Sequence, residues 1–305
     1  MDLKQIDYFL SLARERNMTR AARQLNIVQP ALSMQIGRLE KTLGKRLFDR
    51  TPQGMSLTPA GETLLEHASA IRREVDRATE EMARLDGKIS GRVAIGMITS
   101  AAQSTLAVSS AKVAEKYPEI QLLICEGYTD TLIDWTVSGE LDVAIVNMPR
   151  RSVPLTAHLI LDENMMFAHS ADNTTTFPKK VPLEMLGRLD LIVPSRRHGL
   201  RKILDDAASE AGFALKPRLE IDTLAAICEI VATTNMVTVL PGIALYPLLV
   251  SGRLRAKSIV KPAISRTVKW VASPRRLVSA AATAVVNILA TDLAESAAAA
   301  ARFVR

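Results

Sequence analysis

The sequence contains little of the chemistry that marks metal sites, redox centres or secreted disulfide scaffolds. Only two of its 305 residues are cysteines, Cys125 and Cys228, and their spacing matches no paired metal or redox motif. We expect both to be ordinary core residues, as unpaired cysteines usually are. The histidines are equally scattered, at His67, His158, His169 and His198. Surface or core positions are therefore expected for them, and we predict no metal and no cofactor.

Sequence motifs of catalysis are missing as well. The chain has no nucleophile elbow and no Walker loop, and Gly96 is not followed by a second glycine at the spacing of a dinucleotide fingerprint. No residue stands out as catalytic, so we predict that the protein is not an enzyme.

Long apolar segments are also scarce. The first ten residues carry three charged side chains, which argues against a secretory signal and predicts a cytoplasmic protein. The longest uncharged run, residues 230–252, approaches the roughly 20 residues that cross a bilayer. Polar residues interrupt this run, and Pro241 and Gly242 break it after the strand-like residues 236–240. We predict a buried strand leading into a helix, and no membrane contact.

Basic side chains are concentrated near the N-terminus. Residues 1–57 hold ten lysines and arginines against five acidic residues, in a chain whose formal net charge is +7. Such a local excess is expected of a surface that neutralises phosphates. A merely solvated basic face is the alternative that charge alone leaves open.

The same segment predicts three helices. Apolar residues at helical spacing mark the inner face of the first: Ile6, Phe9, Leu10 and Ala13. Asn17 and Thr19, both cap-type residues, open a short second helix, and residues 26–27 form a tight turn. Pro30 suits the first position of a third helix, because that position has no hydrogen-bonded N–H to lose. The buried stripe of this third helix is Ala31, Leu32, Ile36, Leu39 and Leu43.

Two short helices joined by a tight turn predict a helix-turn-helix, and a small hairpin follows it. Residues 47–50 and 55–57 have strand character, and residues 51–54 suit a type I turn. This wing carries Arg50 toward the DNA backbone or minor groove. We predict that Thr19, Arg23 and Arg50 hold phosphates. The residues predicted to face base edges are Gln29, Pro30, Ser33, Gln35 and Arg38.

These motifs resemble the N-terminal signature of LysR-type transcriptional regulators. The matching positions are Thr19, Ala21, Ala22, Gln29, Pro30, Ala31, Leu32, Ser33, Leu39, Glu40, Leu43, Gly44, Leu47, Phe48, Arg50, Leu57, Thr58, Pro59, Ala60 and Gly61. The resemblance covers about the first sixty positions and is more specific than a bare helix-turn-helix pattern. One departure is Gly37, which weakens the third helix by up to about 1 kcal/mol relative to alanine. The resemblance implies a DNA-binding regulator that is assembled as a homotetramer.

A long amphipathic helix is predicted next, with Thr58 as its cap and Pro59 as its first residue. Apolar residues then recur at alternating steps of four and three: Leu64, Ala68, Ile71, Val75, Ala78, Met82 and Leu85. We predict that this seam pairs two chains, because helix-turn-helix regulators read two half-sites as dimers. An amphipathic helix lying on its own domain is the alternative.

From residue 92 onward, apolar strands alternate with helices, which predicts an α/β region with a largely parallel sheet. The predicted strands are 93–97, 121–125, 143–146, 189–193, 218–221 and 236–240. The predicted helices are 105–116, 132–138, 200–211, 224–232 and 243–249. Two such subdomains side by side resemble the effector domain of LysR-type regulators, which is itself similar to periplasmic binding proteins. The resemblance implies a small-molecule effector in the cleft between the two lobes.

Open α/β sheets bind ligands at the C-terminal ends of their strands, where helix N-termini converge. The effector-binding candidates chosen by this rule are Thr99, Ser100, Gln103, Thr129, Asn147, Ser195, His198, Arg201 and Thr223. Residues 195–201 hold three arginines and a histidine at a predicted helix N-terminus, which favours an anionic effector. Solvated loop charges are the alternative. Residues 189–201 also resemble the nitrogen-assimilation-control branch of the family, which does not identify the effector.

We therefore predict a winged helix-turn-helix at 1–58, a linker helix for dimerisation at 59–90 and an effector-binding domain at 91–305. Its lobe 1 spans about 91–161 and 267–305, and lobe 2 about 162–266. The predicted partners are a promoter inverted repeat in double-stranded DNA, a small-molecule effector, further copies of the chain and RNA polymerase. Two alternatives are a ligand-binding protein or enzyme with a vestigial helix-turn-helix, and an architectural DNA binder without a ligand.

Overall fold

The computed structural model describes residues 1–52, 54–85, 88–148, 153–274 and 276–304, apart from the side chains of residues 80, 81 and 83–85. Its contacts group the chain into two compact units, Met1–Gly91 and Arg92–Arg305. The elements of the first unit are α1 (Leu3–Glu15), α2 (Met18–Gln24), α3 (Gln29–Leu43), β1 (Phe48–Thr51), β2 (Gly54–Leu57) and α4 (Pro59–Leu85). The three predicted helices, the hairpin and the long helix are thus confirmed.

The first unit is held together by a small core to which all of its helices contribute. Its buried apolar residues are Ile6, Phe9, Leu12, Ala21, Ala22, Leu32, Ile36, Leu39, Leu47, Phe48 and Ala68. The rings of Phe9 and Phe48 lie 5.3 Å apart, which joins α1 to the first strand of the hairpin. Leu43, which the sequence assigned to the buried stripe, is exposed because α3 ends at this residue.

Side-chain caps fix where two of these helices begin. Asp2 and Gln5 form a reciprocal capping box at the start of α1. The cap of α2 is Asn17, whose Oδ1 accepts the N–H groups of Thr19 and Arg20. Thr19 therefore lies inside the helix rather than at its cap. Pro30 likewise occupies the second position of α3, one residue later than predicted.

The hairpin is fastened to the end of α1. The N–H of Met55 donates to the carbonyl oxygen of Arg16 at 2.8 Å. Gly54 has a φ of +125°, and a Cβ at this position would lie 2.4 Å from the same oxygen, so only glycine fits. The predicted type I turn includes Gln53, which lies outside the described residues.

The long helix α4 divides its apolar seam between two environments. Leu64, Ala68 and Ile71 pack into the core of the first unit, as expected of an amphipathic helix lying on its own domain. Farther along, Ala78 is exposed and Met82 is 61% exposed. The seam prediction is therefore corrected: its first half packs within the chain, and in its second half Ala78 and Met82 are open to a partner, whereas the side chain of Leu85 lies outside the described residues.

The second unit combines a mixed sheet with flanking helices. Its strands are β3 (Gly91–Met97), β4 (Ile120–Glu126), β5 (Val143–Asn147), β6 (Thr156–Ser170), β7 (Lys180–Pro182), β8 (Ile192–Val193), β9 (Leu219–Glu220), β10 (Val237–Pro241), β11 (Leu254–Val260) and β12 (Ser265–Ala272). Its α-helices are α5 (Thr99–Lys116), α6 (Thr129–Ser138), α7 (Gly199–Glu210), α8 (Leu224–Thr233), α9 (Gly242–Val250) and α10 (Ala280–Ala301). A 3-10 helix spans Leu183–Arg188.

The main sheet is organised around the long strand β6. The strand order is β4-β3-β5-β12-β6-β11-β7, and β10 also pairs with β6. The first part of β6 pairs antiparallel with β12, and its last part pairs antiparallel with both β10 and β11. Parallel pairing joins β3 to β5 and β8 to β9. The expectation of a largely parallel sheet was therefore wrong, because β6, β11 and β12 were not recognised as strands.

The helix boundaries differ from the predictions in a way that matters for the cleft. Helix α5 begins at Thr99 rather than at residue 105, and α6 begins at Thr129 rather than at residue 132. Strand β8 is limited to two residues, whereas five were predicted. The predicted strand and helix within residues 230–252 are confirmed as β10 and α9.

Helix α10 is long and apolar enough, by length and composition, to cross a bilayer. One face of it is buried against α5 and α9. Its Asp292, only 5% exposed, accepts hydrogen bonds from Ser109 Oγ at 2.7 Å and from Lys112 Nζ. These contacts make α10 a packing element of the second unit.

Candidate functional sites

The eight predicted DNA-contacting residues all lie on the surface of the first unit. Thr19, Arg23, Gln29, Pro30, Arg38 and Arg50 are exposed, while Ser33 and Gln35 are half-buried. Three of them, Gln29, Pro30 and Ser33, belong to the first turns of α3, the end that a recognition helix inserts into the major groove. Arg50 lies on β1 of the hairpin.

The basic residues of this surface differ in how far they are neutralised. Arg20 pairs with Glu15 at 3.5 Å, and Arg72 with Asp7 at 3.6 Å. In the parts of the chain that the structure describes, no ion pair joins Arg23, Arg38 or Arg50 to a carboxylate. Their charges are therefore available to phosphate groups.

In the second unit, a buried arginine gathers several polar residues. The Arg266 side chain is fully buried; its Nε donates to Glu163 Oε1 at 2.8 Å, and its Nη2 also contacts that carboxylate. Its Nη1 donates to Ser100 Oγ at 2.8 Å and to Asn147 Oδ1 at 3.3 Å. Two predicted effector-binding residues, Ser100 and Asn147, are thus brought together by a group that the sequence analysis missed.

The starts of three helices lie close to this cluster. A Cβ on Gly199, the first residue of α7, would lie 3.2 Å from Asn147 Nδ2 and 3.9 Å from Thr129 Oγ1. Thr129 begins α6, and Ser100 lies in the first turn of α5. The Oγ1 of Thr129 is buried and has no hydrogen-bond partner among the described residues. Helix N-termini carry partial positive charge, so this cluster suits a hydrogen-bond-accepting group.

One hydrogen bond links α6 to the loop before α8. Tyr128 Oη donates to Asp222 Oδ2 at 2.8 Å, and the N–H of Ser195 donates to Asp222 Oδ1 at 3.0 Å. Hydrogen bonds from Ser195 and Tyr128 hold the pKa of Asp222 below its usual value. Asp222 is therefore charged at neutral pH and keeps Tyr128 and Ser195 together.

His198 caps α7 and is neutral. Its Nδ1 accepts the N–H of Leu200 at 3.2 Å, so we assign the ring proton to Nε2. Burial lowers the pKa of His198 to about 4. The ring stands edge-on to Tyr128 with centroids 5.8 Å apart. His198, directly before Gly199, is thus a neutral hydrogen-bond donor rather than a cation.

Arg201 is occupied elsewhere. The side chain is buried; its Nε donates to Asp205 Oδ1 at 2.9 Å, and its Nη1 lies 2.8 Å from Glu220 Oε1. Two carboxylates neutralise the guanidinium, which holds α7 against β9. We therefore withdraw Arg201 as an effector ligand and assign it a supporting role. Arg196 and Arg197 are exposed, so the positive charge expected at residues 195–201 is mostly outside the cluster.

The remaining effector candidates are arranged less closely. Thr99 is half-buried at the start of α5, whereas Gln103, one turn later, is exposed. Thr223 precedes α8, where it is exposed and makes no capping hydrogen bond. No hydrogen bond or ion pair among the described residues joins these three side chains to the Arg266 cluster.

The sequence analysis missed Arg266, Glu163, Tyr128, Asp222 and Gly199 as site residues. One sequence signal could have identified Arg266 as a site residue. It lies two positions before the apolar Val268 on β12, on the buried face of the strand, and a buried arginine needs an acidic or polar partner. That pattern is visible only when residues 265–272 are recognised as a strand.

The described residues contain no arranged metal ligands, and the Cys228 thiol is not activated. No group of three or more histidine, cysteine or acidic side chains is arranged there to hold a metal ion. Burial raises the pKa of the Cys228 thiol to about 12, which keeps it protonated and unreactive. Cys125 is partly exposed, and neither cysteine forms a disulfide.

Comparison with known protein families identifies both units. Residues 3–62 match the family of bacterial regulatory helix-turn-helix proteins of the lysR type. Residues 86–294 match the LysR substrate binding domain. Together these matches cover most of the chain.

Individual relatives agree with these matches. The chain is 30% identical over 230 residues to the HTH-type transcriptional regulator BbuR of Bordetella bronchiseptica, covering 75% of this chain and 70% of the relative. It is 27% identical over 290 residues to the nitrogen assimilation regulatory protein nac of Escherichia coli, covering 95% and 94% of the two chains.

Solved structures show the same fold. A full-length OxyR variant from Pseudomonas aeruginosa superposes with a TM-score of 0.71 at 24% identity, covering 96% of this chain and 94% of that one. CbnR in complex with its target DNA superposes with a TM-score of 0.66 at 18% identity, covering 97% and 100%.

Proposed function

Because this chain belongs to the LysR family of DNA-binding transcriptional regulators, we propose that it reads a promoter inverted repeat under the control of a small effector. It is a regulator rather than an enzyme. In this proposal, Thr19, Arg23 and Arg50 hold phosphates. Gln29, Pro30, Ser33, Gln35 and Arg38 face base edges. The observation that carries the proposal is the exposed start of α3 beside arginines that have no carboxylate partner in the described residues.

Selection of bound fragments from the source genome with the purified protein tests this function. We expect a short inverted repeat near a promoter, because a two-fold symmetric reader requires two similar half-sites. Recovery of fragments without a shared sequence would contradict the proposal.

Two substitutions separate phosphate contacts from base contacts. Arg50→Ala should weaken binding to every duplex by a similar factor and reduce the slope of log affinity against log salt by about one. Gln29→Ala should weaken binding mainly to the selected sequence, by about tenfold, and so relax preference at particular bases. Fluorescence anisotropy with the selected duplex and a scrambled duplex measures both. Equal losses on both duplexes from both variants would refute this division of roles.

We propose that the effector binds beside Ser100, Thr129, Asn147 and His198. The charges of Arg266 and Glu163 cancel, His198 is neutral, and the first turns of three helices lie at or close to the cluster. Such a site favours a small molecule with a carboxylate or another accepting oxygen, held mainly by N–H and O–H donors. We propose Thr99, which precedes Ser100 in the chain, and Ser195, which shares Asp222 with Tyr128, for the margin of this site.

The Tyr128–Asp222 hydrogen bond supports a mechanism for control. In our proposal, Tyr128 belongs to lobe 1 (about 91–161 and 267–305), and Asp222 belongs to lobe 2 (about 162–266). An effector that binds between the lobes strengthens or replaces this contact and shifts the equilibrium between two lobe arrangements. The linker helix then changes the spacing or bend of the bound DNA.

Gly199 offers a direct test of the cleft. Gly199→Ala places a methyl group 3.2 Å from Asn147 Nδ2, inside the space that we assign to the effector. We expect the affinity for an effector carboxylate to fall about tenfold or more through overpacking. Thermal-shift titration with a panel of small organic carboxylates measures it.

Gly187→Ala is the matched control, because a Cβ there would meet only Phe213 at ordinary contact distance. If the wild type and both variants bind the same carboxylate with equal affinity, this cleft is excluded as the effector site.

We also propose the assembly that goes with this function. The winged helix-turn-helix occupies 1–58, α4 with the linker at 59–90 pairs two chains, and the effector domain at 91–305 completes a homotetramer. Cytoplasmic residence, contact with RNA polymerase and absence of membrane contact fit a regulator of bacterial promoters.

A further inference from the structure

Val28 is conspicuous at the start of the recognition helix. With 69% of its surface accessible, it is the most exposed large apolar side chain among the described residues of the first unit. The preceding Ile27 packs against the core, whereas Val28 belongs to no apolar cluster that the structure describes. Isolated exposed apolar residues are ordinary, so exposure alone carries no meaning. The position of Val28, directly before Gln29, is what makes it informative.

Capping does not explain the residue. Val28 is the N-cap of α3, where a valine side chain cannot accept a hydrogen bond. Among the described residues, five other helices follow a residue whose side chain accepts a backbone N–H: Asp2, Asn17, Thr58, His198 and Ser279. Such side chains accept a hydrogen bond from the N–H of the second or third helical residue. In α3 the second residue is Pro30, which has no N–H, and the N–H of Ala31 already bonds to the Val28 carbonyl at 3.0 Å.

The Val28 side chain therefore neither packs in the core of the first unit nor caps α3. Its place directly before Gln29, at the end of α3 that we propose enters the groove, points to contact with DNA. We propose that Val28 contacts the 5-methyl group of a thymine in the major groove and is a specificity-determining residue beside Gln29 and Ser33.

The chemistry of the groove fits this assignment. Thymine is the base that presents an apolar methyl group in the major groove. Valine has a single strongly preferred χ1 rotamer in many settings, so fixing it against that methyl group costs little side-chain entropy. The exposed β-branched side chain and the neighbouring amide of Gln29 then read an apolar and a polar base edge side by side. This inference builds on the proposed entry of α3 into the groove.

The test uses the full-length protein and the inverted repeat recovered by genomic selection. In one half-site, each thymine is replaced in turn by deoxyuridine, which removes only the methyl group. Wild type, Val28→Ser and Leu43→Ser are titrated against each duplex. Leu43 is the control, because it is an exposed apolar residue at the opposite end of α3.

We expect the wild type and Leu43→Ser to lose about fourfold in affinity at one particular thymine, the effect of one buried methyl group. Val28→Ser should bind the two versions of that duplex equally and should keep the wild-type melting temperature. Equal sensitivity of wild type and Val28→Ser at every thymine, or no sensitivity anywhere, would overturn the assignment. Failure of the proposed function is distinguishable, because the wild type would then select no sequence at all.

Discussion

Replacement of Arg266 by alanine is expected to destabilise the second unit by about 3–5 kcal/mol. The change leaves the Glu163 carboxylate buried without its partner, and it removes the donor that holds Ser100 and Asn147. Uncompensated burial of a charge is among the largest effects that a single substitution produces. The melting temperature, measured by circular dichroism or calorimetry, should fall by about 10 °C or more.

Two further variants separate the buried charge from a general effect of losing arginine. Arg255→Ala removes an exposed arginine from β11 of the same sheet and should change the melting temperature by less than about 2 °C. Arg266→Met combined with Glu163→Gln removes both charges and should recover much of the loss. A double variant no more stable than Arg266→Ala would show that the ion pair is not the cause.

Ala78→Glu is expected to break the pairing of linker helices and to halve the mass of the particle in light scattering. Ala78 lies on the open second half of the seam, one turn before Met82, where a partner helix would bury the new carboxylate. Affinity for the two-half-site duplex should fall about 100-fold or more, because the half-sites are then bound independently. Affinity for a single half-site should be unchanged.

Ala70→Glu is the matched control for this variant. Ala70 is exposed on α4 but lies off the heptad seam, so its substitution should leave mass and affinity near wild type. Identical masses for Ala70→Glu and Ala78→Glu would contradict dimerisation through the second half of α4.

The first unit could be predicted closely from the sequence because its determinants are local. Cap-type residues, the Gln29-Pro30 helix start and the glycine of the hairpin each specify geometry within a few positions. The sequence could not show what buries the first half of the α4 seam. A heptad pattern looks the same whether the residues packed against it belong to the same chain or to a partner.

The proposed effector site was less predictable because it depends on contacts between residues far apart in the sequence. Arg266 meets Ser100 and Asn147 from positions more than a hundred residues away in sequence, through a strand that alternation did not reveal. The rule that ligands lie beyond strand ends selected Ser100, Thr129 and Asn147, which the structure places at or close to the Arg266 cluster, so these residues stay candidates for the proposed site. The basic residues at 195–201 suggested Arg201 as an effector ligand. Its guanidinium is instead neutralised by Asp205 on the same face of α7 and by Glu220 on β9.

Affinity measured across a salt series shows whether the first unit reads a specific DNA sequence. The selected duplex and a scrambled duplex of equal length are titrated with the full-length protein. We predict that log affinity falls linearly with log salt for both duplexes, and that the selected duplex binds about 1,000-fold more tightly at physiological salt. Weak binding that is insensitive to salt and equal for the two duplexes would contradict it.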